Sequence, residues 1–130
     1  MANATIALMG VRESRNAFER RPEQLNTSGI RMQFYKLMMG NWNSSLIDLG
    51  DIEEGETVED TYFVVKEIIA ELLEENIVPI IIGGTQDITY PTYRAFDGIK
   101  SMVNLVSIDS RFDFGDGEEL ISAHSYMSKI

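Results

Sequence analysis

Two carboxylates, Asp109 and Asp113, follow the apolar run Val103–Ile108, and Arg111 stands between them. A second polar tip, Gly83-Gly84-Thr85-Gln86-Asp87, follows the apolar run Val78–Ile82. Carboxylates after a strand can hold a cation or simply close a turn. A glycine pair ahead of a helix can cradle an anion on the helix amino terminus. The full Gly-x-Gly-x-x-Gly and Walker patterns are both absent, so this pair reads first as a tight strand-to-helix turn. About one helix's worth of chain separates the two tips. Parallel strands in open α/β folds deliver residues to a shared crevice at their carboxyl ends, so the tips are expected to meet. His124, the only histidine, comes shortly after them.

The elements that would position these residues are readable from periodicity. Ile6–Val11 reads as a first strand buried on both faces. An arginine-rich loop from Arg12 follows it. Arg12, Arg15, Arg20, Arg21 and Arg31 are expected to pair with surplus acidic side chains, with an acidic ligand at the sheet edge as the alternative. A helix capped by Asn26, Thr27 or Ser28 would bury Ile30, Phe34, Leu37 and Met38 on one face. Ser45–Ile52 reads as a second strand. The strongest helix starts at Thr57, with Asp60 completing its cap and Val58, Tyr62, Val65, Ile69 and Leu72 as its buried stripe. Val78–Ile82 is a third strand, with Pro79 tolerated at its start. A short helix over 87–96, a fourth strand over Val103–Ile108 and a weakly specified helical tail after Ser122 complete the chain. Trp42 and Tyr35 are expected in core or loop packing. This alternation predicts a three-layer α/β/α domain whose central parallel sheet has at least four strands.

Composition narrows the chemistry. The chain has 130 residues, enough for one α/β domain over 1–130, and a net charge of −10. That balance repels a nucleic-acid backbone or an anionic membrane surface, so neither is an expected partner. Cysteine is absent, which removes disulfides, thiolate metal sites and a thiol nucleophile. A cytoplasmic location fits this usage. The opening residues lack the charged and long apolar regions of a signal peptide.

The two tips resemble a known family in their setting as well as their composition. Gly83-Gly84-Thr85-Gln86-Asp87 resembles the Gly-Gly-Asp-His-Ser of the ureohydrolase superfamily, which includes arginase, agmatinase and formiminoglutamase. Asp109-Ser110-Arg111-Phe112-Asp113 resembles its Asp-Ala-His-x-Asp. Leu46-Ile47-Asp48-Leu49-Gly50-Asp51 is similar to the family's Val-Asp-Leu-Gly-Asp strand. Ile6–Val11 is similar to its opening strand, and Ser28-Gly29-Ile30-Arg31 to its Gly-Pro-x-x-Ile-Arg helix start. The ordered set spans nearly the whole chain.

This resemblance implies the arginase-like fold and hydrolysis of linear amidines (guanidino or formimino groups) by a water bridging two manganese ions, whose charge lowers its pKa. It also implies that Asp109 and Asp113 fall on ligand positions, while Gln86 and Arg111 stand where the family has histidine. Arg111 is a permanent cation without a lone pair for a metal. Its guanidinium is expected to neutralise the two carboxylates, leaving a degenerate metal site. No cofactor is expected, and any metal would rest on Asp109 and Asp113. His124 falls near the family's substrate side. The family's later Ser-x-Asp-x-Asp-x-x-Asp-Pro motif has no counterpart, so the chain looks like the amino-terminal portion of a larger arginase-like domain, closest to formiminoglutamase. The expectation is a pseudoenzyme with a structural or regulatory role that self-associates through its sheet edge. The alternatives are an active C–N hydrolase with an altered site in a longer protein, and an anion or nucleotide-binding module on Gly83-Gly84.

Overall fold

A computed structural model describes residues 4–17, 26–38, 40–41, 43–99, 102–116 and 118–130. Trp42, Arg20 and Arg21 lie outside the described residues. Three parallel strands, β1 (Ile6–Val11), β2 (Leu46–Ile52) and β3 (Val78–Gly83), form a sheet in the order β2-β1-β3. β1 is flanked on both edges, and Leu8 lies level with Asp48 on one side and Ile80 on the other. Its position explains its composition. Ala7, Leu8, Met9 and Val11 are all buried, so a near-continuous apolar run is what both faces require.

Helix α2 (Val58–Glu74) crosses from β2 to β3 and covers one face of the sheet. Its start is fixed by a reciprocal cap: Asp60 N donates to Thr57 Oγ1 at 3.1 Å and Thr57 N donates to Asp60 Oδ2 at 2.8 Å. The predicted stripe is the buried one. Tyr62, Val65, Ile69 and Leu72 join Ala7, Met9 and Val11 in one core. Each fully buried aliphatic side chain there stabilises by roughly 1.5–3 kcal/mol. A 3-10 turn (Gln86–Ile88) leads into α3 (Thr89–Asp97), which adds Ile88 and Ala95 to the core.

Helix α1 (Thr27–Phe34) departs from expectation. Asn26 caps it through Gly29 N, but Ile30, Phe34, Leu37 and Met38 are exposed rather than buried. Its attachment is polar instead. Arg31 Nε donates to Asp48 Oδ2 at 2.8 Å, Arg31 Nη2 to Gly50 O at 2.6 Å, and Thr27 Oγ1 to Asp51 Oδ2 at 2.7 Å. Arg31 Nη1 also donates to Asp51, and Tyr35 Oη to Asp48. Tyr35 is exposed beyond that bond.

The fourth strand is corrected as well. Val103–Ile108 pairs with no strand among the described residues, and its side chains are largely exposed, Ile108 fully at 100%. An apolar run becomes a strand only when a neighbour satisfies its backbone, and none of the described residues does so here. The sheet therefore has three strands among the described residues rather than four. The tail contributes a 3-10 turn (Tyr126–Lys129) in place of an α-helix, with Tyr126 buried. No helix among the described residues is long and apolar enough to cross a membrane.

Candidate functional site

The carboxyl ends of β1 and β3 are locked together by buried polar groups. Thr85 N donates to Glu13 O at 3.1 Å, tying the tip after β3 to the chain after β1. Gly83 and Gly84 make this turn possible, with φ of 81° and 75°. A Cβ on Gly84 would stand 2.5 Å from Ile88 Cγ1, so only glycine fits there. Below the turn, the fully buried Asp87 accepts hydrogen bonds from Tyr62 Oη and Thr85 Oγ1. Asn16 Nδ2 donates to Tyr62 Oη and to Ile121 O, both at 2.9 Å, and so joins the later loop to this network. Burial, followed by the adjacent Asp87, pushes the Tyr62 phenol up, so it stays a donor.

The tip residues meet the carboxy-terminal segment. Asp113 adopts φ 49°, a left-handed conformation that aspartate tolerates better than most side chains. Its carbonyl accepts from Met127 N at 3.2 Å. Its carboxylate is only 5% exposed and lies 3.1 Å from His124 Nδ1. On the other side of the ring, Arg111 Nη1 lies 3.0 Å from His124 Nε2. Guanidinium can only donate, so Nε2 must accept, and the proton of the neutral ring sits on Nδ1 facing Asp113. Arg111 N also donates to Asp109 Oδ1 at 3.1 Å, closing a turn over the exposed Asp109.

The sequence-predicted residues are thus gathered only in part. Arg111, Asp113 and His124 line one open pocket of about 360 Å³, together with Phe114, Gly115, Asp116 and Glu119. Gln86 and Asp109 are not among its lining residues. Gln86 instead donates from Nε2 to Tyr126 Oη at 3.4 Å. The link described between the Arg111 guanidinium and Asp113 runs through the imidazole. Sequence reasoning missed the Asn16–Tyr62–Asp87 network, because Tyr62 reads as an apolar stripe residue and its hydroxyl partner lies across the fold.

The Nε2 lone pair of His124 faces a guanidinium, Gln86 is turned toward Tyr126, and Arg111 has no lone pair to give. No group of three or more histidine, cysteine or acidic residues that could hold a metal ion is found among the described residues.

A family model described as the Arginase family matches residues 4–128. Formimidoylglutamase of Halalkalibacterium halodurans is 31% identical over 77 residues, 57% of this chain and 24% of the relative. The crystal structure of agmatine ureohydrolase from Thermoplasma volcanium superposes with a TM-score of 0.79 at 25% identity, over 97% of this chain and 45% of the other. The crystal structure of Trypanosoma cruzi formiminoglutamase with Mn²⁺ gives a TM-score of 0.76 at 21% identity, over 97% of this chain and 46% of its own. The chain therefore spans less than half of each of these structures. A family match running almost from end to end, over residues 4–128 of 130, places this chain in the arginase family.

Proposed function

We propose that this chain is a catalytically silent arginase-family domain portion whose metal-ligand positions have been converted into a protein-only contact. The observation that carries the reading is the Arg111–His124–Asp113 chain of contacts. The guanidinium takes the imidazole lone pair and the imidazole proton serves the carboxylate, so the two groups that could have met a cation are satisfied within the protein. The formiminoglutamase solved with Mn²⁺ indicates which ion such a site would otherwise take. Gln86 supports the same reading, because a neutral amide oxygen is a poor substitute for an imidazole ligand.

The role left to such a domain is structural or regulatory. The chain is read as the amino-terminal part of a larger arginase-like domain, which the 45% coverage of the Thermoplasma structure supports. A cytoplasmic setting is compatible with the absence of cysteine from its sequence.

Calorimetric titration with Mn²⁺ tests the reading, comparing the parent with a Gln86→His, Arg111→His double variant. No binding by the parent and measurable binding by the variant is the expected outcome. Tight binding by the parent overturns it and makes an altered-site hydrolase the better account. If neither binds, the idea that Arg111 holds the site closed is lost, and the silence has another origin.

A further inference from the structure

We infer that Asn16 is a positioning residue: it latches the segment 121–123 to the core and thereby holds His124 between Arg111 and Asp113. The inference rests on the silent-site reading and deepens it, because it names what keeps that contact closed.

Three hydrogen bonds make the latch. Asn16 Nδ2 donates to Ile121 O and to Tyr62 Oη, each at 2.9 Å, and Ala123 N donates to Asn16 O at 3.1 Å. Ile121 and Ala123, on either side of Ser122, are thus tied to one residue of the loop after β1. A single bond would let the segment pivot, whereas two points along it fix its direction as well as its distance. Hydrogen bonds of this kind add little net stability, so what the latch contributes is orientation.

The amide can face only one way. Tyr62 Oη donates to the buried Asp87, which commits the phenol's proton and leaves its oxygen to accept. Ile121 offers a carbonyl, which also accepts. Both partners therefore need the Nδ2 protons of Asn16, and turning the amide over would set its oxygen against two acceptors. The buried carboxylate below the β3 tip thereby dictates how the loop after β1 holds the later segment.

That segment carries His124 as one unit. His124 N donates to Ser122 Oγ at 3.2 Å, Ser122 N to Ser125 Oγ at 3.0 Å, and Ser125 Oγ to Leu120 O at 2.7 Å. Beyond the histidine, Met127 N donates to Asp113 O at 3.2 Å and Gln86 Nε2 to Tyr126 Oη at 3.4 Å. These bonds anchor the carboxyl side of the turn, and Asn16 anchors its amino side. The imidazole is held on opposite edges, by Arg111 at 3.0 Å and Asp113 at 3.1 Å. Releasing the amino-side anchor lets the turn rotate, and a rotation breaks at least one of these two contacts.

The test reads the ring itself. His124 is the only histidine, so its nitrogen-15 signals are unambiguous. Spectra at neutral pH are compared for the parent, Asn16→Ala and Asn16→Leu, the last of which keeps a branched shape without a donor. Ile77→Val truncates a buried side chain just before β3, at the opposite end of that strand from the site, and controls for general loss of stability. The expected result is a reversal of the majority tautomer, from Nδ1–H in the parent to Nε2–H in the Asn16 variants, with Nδ1–H kept in Ile77→Val. A folded Asn16 variant that keeps the parent tautomer overturns the proposal, as does a reversal shared by Ile77→Val. Failure of both Asn16 variants to fold while Ile77→Val folds also overturns it, by making Asn16 a residue of general stability. An unmoved tautomer in the variants leaves the silent-site reading standing, whereas Mn²⁺ binding by the parent sinks that reading.

Discussion

Arg15 grips the buried carboxylate of Glu13 with two nitrogens, Nη2 at 2.6 Å from Oε2 and Nε at 3.0 Å from Oε1. Thr61 Oγ1 adds a hydrogen bond to Oε2 at 2.8 Å. Arg15 also donates to Glu56 O and Thr57 O, each at 3.0 Å, so the pair ties the chain after β1 to the start of α2. Both residues belong to the loop that carries Asn16, and Asn16 reaches Tyr62 beneath the candidate site.

Removing Arg15 should therefore be worse than removing both partners. Arg15→Ala leaves a fully buried carboxylate without its counter-ion and should cost about 3 kcal/mol. Adding Glu13→Gln to that variant removes the uncompensated charge and should recover part of the loss. Urea denaturation of the two variants checks this. A double variant as unstable as Arg15→Ala would show that Glu13 tolerates isolation.

Stability should also fall in acid through this residue. Burial raises the Glu13 pKa, but the Arg15 side chain and backbone, the Thr61 hydroxyl and the Arg15 charge together outweigh it and hold the group at about 2, against an ordinary 4.5. A folded pKa below the unfolded one means the stabilisation is complete above about 4.5 and is lost as pH falls toward 2. Asp48 and Asp51 add to the effect in the same direction: burial opposes it, but hydrogen bonds from Tyr35, Gly50 and Arg31 to Asp48, and from Thr27 and Arg31 to Asp51, hold both carboxyls below their ordinary range. Melting temperature measured from pH 7 downward should drop more steeply for the parent than for Glu13→Gln. Parallel curves would remove Glu13 from the explanation.

Most of the framework was legible because local rules and tertiary demands agree. β1 is Ile6–Val11 as expected, and the Thr57–Asp60 cap starts the helix whose stripe is buried. The failures share one cause. Ile30, Phe34, Leu37 and Met38, and likewise Val103–Ile108, carry apolar patterns that call for burial without naming a neighbour. When no described residue supplies that neighbour, the same side chains stay exposed. The candidate site was legible as a list of positions but not as a geometry. Spacing put Arg111 between Asp109 and Asp113, while the contact that orients it comes from His124, thirteen residues on.

The turn that carries Gln86 gives a sharper test of local structure. Gly84→Ala would place a methyl 2.5 Å from Ile88 Cγ1 at a backbone φ of 75°. Strain of this kind costs of order 1–3 kcal/mol, and it should move Gln86 and Asp87 together because they follow within the same turn. Gly50→Ala is the comparison, since its φ is 81° but nothing lies within 4 Å of the added carbon. Thermal denaturation should show the larger loss at Gly84. Equal losses would assign the cost to backbone conformation alone.

Histidine tautomerism reports most directly on the site. Arg111 can only donate to His124 Nε2, so the neutral ring must carry its proton on Nδ1, directed at Asp113 Oδ1 3.1 Å away. Free histidine prefers the opposite tautomer, so the preference is imposed by these two neighbours. Nitrogen-15 spectra of the imidazole at neutral pH should show Nδ1–H in the parent. Arg111→Ala removes the donor to Nε2 and should shift the population toward Nε2–H, while Arg111→Lys retains a donor and should preserve more of the parent pattern. An Nε2–H ring in the parent would mean that the guanidinium does not occupy the lone pair. The lone pair would then sit on Nδ1 beside the Asp113 carboxylate, where both could meet a cation, and the physical basis for a silent site would be gone.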